Sequence, residues 1–64
     1  MKSTEEILIE QYGIVMKPAD VANVLHQHPS HIRAMCASGE LPAVKIGDRW
    51  LIQTKKFAAL LETD

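Results

Sequence analysis

The side chains with ligating or reactive chemistry in this 64-residue chain are few: His26, His28 and His31, a single cysteine at Cys36, and seven Lys and Arg residues. Histidine and cysteine are the ligand types zinc takes, but this spacing matches no closed four-ligand site. Cys36 also falls on an apolar helical stripe with Ile32 and Met35. That placement argues equally against a nucleophile, because a thiol among aliphatic side chains behaves as a small hydrophobe with an ordinary or raised pKa. Gly13, Gly39 and Gly47 fall at helix ends and a turn rather than in a phosphate-cradling loop. No nucleophile is paired with a base, so no catalysis, metal or cofactor is expected.

Cations are the remaining chemistry. The formal net charge is −1, which at first sight argues against a nucleic-acid partner, because phosphate contacts normally demand an excess of Lys and Arg. Distribution matters more than the sum. In the first twenty residues Glu5, Glu6, Glu10 and Asp20 outweigh Lys2 and Lys17, whereas between positions 43 and 56 Lys45, Arg49, Lys55 and Lys56 face only Asp48. One end of the molecule is therefore basic enough to meet an anion. Lys55 and Lys56 stand where a helix begins, and cations there oppose the helix dipole by about 0.3 to 1 kcal/mol each. They are either ordinary solvated lysines or placed for an external phosphate.

Four helices and a hairpin position these groups. Ser3 and Glu6 form a capping-box signature for a helix from about Thr4 to Tyr12, closed by Gly13. Pro18 at a first turn, with Asp20 close behind, opens a second helix to about Leu25, carrying Val21, Val24 and Leu25 on one face. After His26-Gln27-His28, Pro29 opens a third in the same way, with His28 as an unusual cap. Ile32, Met35 and Cys36 turn inward, and Ser38-Gly39 closes it. Two short helices joined by such a turn make a helix-turn-helix.

Leu41-Pro42 then blocks further helix, and Ala43 to Ile46 alternates like a strand. A two-residue loop would pair Ile46 with Arg49 and put Trp50 on the face opposite Val44. A three-residue loop, Gly47-Asp48-Arg49, pairs Ile46 with Trp50 and Val44 with Ile52, so that all four apolar side chains share the buried face. The parity argument favours the three-residue loop, with Asp48 and Arg49 at the tip and Lys45 and Leu51 outside. On that parity Trp50 belongs to the core rather than stacking on a base. Thr54 is expected to cap a last helix in which Phe57, Leu60 and Leu61 face the hairpin. With three aromatic residues in the chain, Trp50 and Phe57 are the expected core anchors.

The run Ser38-Gly39-Glu40-Leu41-Pro42-Ala43-Val44-Lys45-Ile46-Gly47-Asp48-Arg49-Trp50 resembles, without a gap, the helix end, strand, wing turn and returning strand of the excisionase-type, MerR-like winged-helix DNA-binding domains of phages, plasmids and integrative elements. The resemblance extends from Met16 to Leu61. It implies a mainly α winged helix-turn-helix with a small β-hairpin over residues 16–64, preceded by an extra N-terminal helix as an extension over residues 1–15. It also implies that the third helix reads the major groove while the wing grips the flanking backbone.

With Ile32, Met35 and Cys36 inward, Ser30, His31, Arg33, Ala34 and Ala37 remain for the outer face of the reading helix. The DNA-facing set expected on this basis is Lys17, Ser30, His31, Arg33, Ala34, Lys45, Asp48, Arg49 and Lys55. Ala34, Ala37 and Asp48 stand where many relatives are basic, so affinity for a single site should be modest. Side-by-side self-association on DNA, through Leu51 or the N-terminal helix, would compensate. The expected role is that of an excisionase or recombination directionality factor working with a recombinase (integrase), or of a transcription regulator of a mobile element. The alternative is a protein-interaction adaptor that kept the fold and lost DNA. A lone cysteine, no basic-then-apolar leader and no apolar run of about 18 residues suit a cytoplasmic protein of a prokaryote or phage, away from membranes.

Overall fold

A computed structural model of the chain describes residues 1–62. The element order is α1 (Thr4–Tyr12), β1 (Val15–Met16), α2 (Pro18–Leu25), α3 (Pro29–Ser38), β2 (Ala43–Ile46), β3 (Arg49–Gln53) and α4 (Thr54–Leu61). The strands form one antiparallel sheet in the order β1-β3-β2. Helical pair, turn and hairpin together make a winged helix-turn-helix, and α1 packs along α4.

The helix starts follow their local chemistry. The Ser3 hydroxyl accepts from the Glu6 amide, and the Glu6 carboxylate accepts from the Ser3 amide, a complete capping box for α1. At α2 the Asp20 carboxylate accepts from the Lys17 amide, while Lys17, which has no acceptor in its side chain, leaves the other half open. At α3 the Nδ1 of His28 accepts from the Ser30 amide at 3.1 Å, so the unusual cap forms. Between α2 and α3 the chain turns through His26 in the left-handed region, with φ of 58°.

One core holds the pieces together: Leu8 of α1, Met16 of β1, Val21 and Ala22 of α2, Ile32 and Cys36 of α3, Leu41, Ile52 of β3, and Phe57 and Ala58 of α4. Trp50 is half-buried against it. At the seam between α1 and the sheet, the fully buried Thr54 donates its hydroxyl to the Gly13 carbonyl at 2.7 Å, and its amide to the Ile14 carbonyl at 3.0 Å. This ties the end of α1 to the start of α4.

Three expectations are corrected. The hairpin register pairs Ile46 with Arg49, Lys45 with Trp50, Val44 with Leu51 and Ala43 with Ile52, so the loop is the two residues Gly47-Asp48. The reason is turn chemistry: Gly47 has φ of +66° and Asp48 does not share it, the pattern of a II′ turn with glycine at its first central position. Arg49 therefore belongs to the strand and not the tip. Lys45 lies on the inner face beside Trp50, and Val44 and Ile46 join Leu51 on the outer face, 52% and 62% exposed.

The second correction concerns Thr54, which is not the cap of α4; that place falls to Gln53, whose side chain makes no capping bond. Thr54 is instead drawn inward by its bond to Gly13. The third follows from it. With Thr54 inside, the buried stripe of α4 is Thr54, Phe57 and Ala58, and Leu60 and Leu61 are left partly exposed. The strand β1, which pairs with β3 through Val15 opposite Gln53 and Met16 opposite Ile52, adds a third strand to the expected hairpin.

Candidate nucleic-acid interface

The hairpin, with Lys45 and Trp50 on its inner face and Arg49 and Leu51 alternating with them along the strand, encloses with the start of the helical pair an open cleft of about 390 Å³. Three elements supply its walls. From the N-terminal end of α2 come Lys17, Pro18 and Ala19; from α3 comes Arg33; from the wing come Lys45, Asp48, Arg49, Trp50 and Leu51. Arg33 reaches it because Ile32 and Cys36 lock the opposite face of α3 into the core. Lys45 reaches it because the two-residue loop puts it on the same face as Trp50, with its Nζ 5.7 Å from the indole ring centre.

Four cations thus surround one concavity, accompanied by a single carboxylate, Asp48. Among the described residues none of the four is in an ion pair; the one such pair joins Lys2 to Glu10 on the exposed side of α1. Positive charges without ion-pair partners, set in a concave wall, attract an external polyanion more strongly than the net charge of the chain suggests.

The other residues named from sequence are dispersed around this cleft. Ser30, His31 and Ala34 are exposed on α3 but do not line it. The Ser30 hydroxyl lies 2.8 Å from the Nδ1 of His28, so it is already engaged with the cap. Lys55 is exposed in the first turn of α4, outside the cleft. Sequence reasoning missed Pro18, Ala19, Leu51 and the inward face of Trp50 as parts of the wall. The signal for Trp50 was present in Gly47, whose preference for the first position of a II′ turn sets the register.

Among the described residues no group of three or more His, Cys, Asp and Glu is placed to hold a metal ion. Cys36 is buried in the core, and its burial pushes the thiol pKa up. None of the described helices is long and apolar enough to cross a membrane.

Residues 15–64 match the model of a family described as a helix-turn-helix domain, and that span covers the sheet, the helical pair and the wing. The chain belongs to this helix-turn-helix family. Membership supports DNA as the partner of the helix-turn-helix domain, and members of such DNA-binding families are typically not enzymes. No curated protein and no solved structure matches the chain.

Proposed function

We propose that this helix-turn-helix protein binds double-stranded DNA sequence-specifically and without catalysis. It would serve as a small excisionase or recombination directionality factor alongside a recombinase, or as a transcription regulator of a mobile element. The observation that carries the reading is the convergence of Lys17, Arg33, Lys45 and Arg49, unpaired, on one cleft of a chain whose net charge is −1.

In this reading α3 enters the major groove. Arg33 forks onto a guanine edge or holds a phosphate, and Ser30 and His31 near the helix start meet bases or phosphate oxygens. Ala34 allows close approach of the helix to the base edges. Lys17 holds backbone on the α2 side, Lys45 and Arg49 hold it on the wing side, and Lys55 reaches a more distant phosphate. Asp48 sits among them as a repulsive element that keeps single-site affinity low. The excisionase and regulator roles share this chemistry and differ in where the sites lie and which protein is recruited.

The test is a gel-shift titration on duplex fragments from the protein's own genetic neighbourhood, at low and moderate salt, with Arg33→Ala and Arg49→Ala alongside. Four phosphate contacts predict a log–log salt slope of roughly −3 to −4, reduced by about one in a variant that loses a phosphate contact. A complete absence of shift at low salt sinks the reading and favours the protein-interaction adaptor.

A further inference from the structure

A second groove, of about 320 Å³, opens beside the cationic cleft and is lined by Ala19, Ala22, Asn23, His26, Gln27 and Pro29. The two meet at Ala19, which lines both, and Pro29 stands one helical turn before Arg33 on the same face of α3. The groove therefore carries the cleft onward, away from the wing, to the turn that joins α2 to α3. Its length follows from α2: Ala19 to His26 spans about 10 Å at 1.5 Å per residue. That is room for about two phosphates of a strand that advances 3.4 Å along the duplex axis per nucleotide. We propose that this groove holds the next stretch of the sugar-phosphate backbone that Lys17 and Arg33 meet, with Asn23, His26 and Gln27 as uncharged hydrogen-bond donors to it. The inference rests on the duplex-binding reading above and adds to it a contact of a different kind.

Three observations choose a phosphate backbone as the occupant. The first is the lining. Ala19, Ala22 and Pro29 are small, the remaining walls are polar, and no carboxylate is among them, so an anionic chain can come close without repulsion.

The second is the supply of donors. The amides of His26 and Gln27 both go to the Ala22 carbonyl, and the side chains of these two residues make no hydrogen bond or ion pair among the described residues. Asn23 gives one amide N–H to the Tyr12 hydroxyl at 3.0 Å, which anchors the side chain and leaves its second N–H for another acceptor.

The third is strain. His26 has φ of 58° and ψ of 42°, a conformation that glycine adopts freely at a helix end and histidine does not. Strained backbone gathers where a side chain has a task, and here it sets an imidazole on the groove wall. Uncharged side chains that bond phosphate fix the register of a protein on its duplex. Because they neutralise no phosphate, they add affinity that salt does not remove, which a chain of net charge −1 otherwise lacks.

The experiment uses the full chain and a duplex site recovered by selection from a random-sequence pool. Wild type, Gln27→Ala, His26→Gly, Gln27→Lys and, for comparison, Arg49→Ala are titrated across a salt series, and phosphate ethylation interference maps the backbone contacts of each. Gln27→Ala and His26→Gly are each expected to weaken binding about three- to tenfold, the usual worth of a neutral hydrogen bond. Gln27→Ala leaves the log–log salt slope unchanged, and Gln27→Lys tightens binding and steepens the slope by about one. His26→Gly melts no lower than wild type, so its weaker binding is not a loss of fold. The phosphates relieved of interference in Gln27→Ala lie at the opposite end of the contacted strand from those relieved in Arg49→Ala.

Unchanged affinity in both Gln27→Ala and His26→Gly, a slope in Gln27→Lys equal to that of wild type, or interference relieved at the wing end in Gln27→Ala overturns the proposal while leaving duplex binding intact. Failure of wild type to bind any duplex overturns the duplex-binding reading and this inference with it.

Discussion

His26 is the one non-glycine residue with positive φ among the described residues, at the C-terminal end of α2. An L-residue in that region costs roughly 1 to 2 kcal/mol relative to its usual conformations, and glycine is largely relieved of this. His26→Gly should therefore stabilise the protein by about 1 kcal/mol, read as a rise in melting temperature of about 4 to 8 °C for a domain of this size. An unchanged or lowered melting temperature would mean that the imidazole contributes more than the strain it carries. Cys36 makes the opposite kind of residue-scale argument. Burial disfavours its thiolate, so its pKa is higher folded than unfolded. The associated stability is fully present below the unfolded thiol pKa and is lost as pH rises through the folded one. Urea midpoints should hold steady through neutral pH and fall in the alkaline range. Iodoacetamide should label Cys36 slowly in native protein and rapidly in urea; equal rates would contradict the burial.

At the scale of elements, the Thr54 side chain is the joint to test. Thr54→Val preserves shape and removes the hydroxyl that donates to the Gly13 carbonyl, leaving that acceptor unsatisfied at a cost of about 1 to 3 kcal/mol. Urea denaturation should show this loss, and Thr54→Ser should restore most of it. The helices were legible because their ends carry strong local signals: Ser3 with Glu6, Pro18 and Pro29 at first positions, and His28 as a cap. The hairpin register was not, because parity of four apolar residues was set against the turn preference of one glycine, and the glycine decided. Burying all four would have needed a longer loop; instead Val44 and Ile46 stay outside. The two-residue strand β1 and the rotation of α4 were illegible for a related reason. Both depend on partners distant in sequence, Gln53 and Ile52 for β1 and Gly13 for α4. The same register explains the site. Arg33 could be turned outward from helical period alone, but Lys45 and Trp50 reach the cleft through a pairing announced only by the turn preference of Gly47.

The whole molecule sets acidic α1 apart from a cleft edged by Lys17, Arg33, Lys45 and Arg49, so its affinity for a polyanion depends on local charge more than on the total. Asp48 is the residue where that balance is most easily moved. On the proposed duplex-binding reading, Asp48→Asn removes one like charge facing phosphate and should tighten duplex binding several-fold at low salt, with a smaller gain at higher salt as screening shortens the reach of the charge. Unchanged affinity in a gel shift would put Asp48 away from the backbone. The order β1-β3-β2 has a mechanical consequence as well. A wing whose returning strand is the central strand of a sheet, continuous at one end with α4 and paired with the segment that follows α1, is not a flap on a hinge. Its opening would have to break the seam at Thr54 or the pairing with Val15 and Met16. If the cleft takes a duplex as proposed, the jaw is set at its width before the duplex arrives, so little of the binding free energy would be spent on ordering it, and even a modest set of cations would suffice.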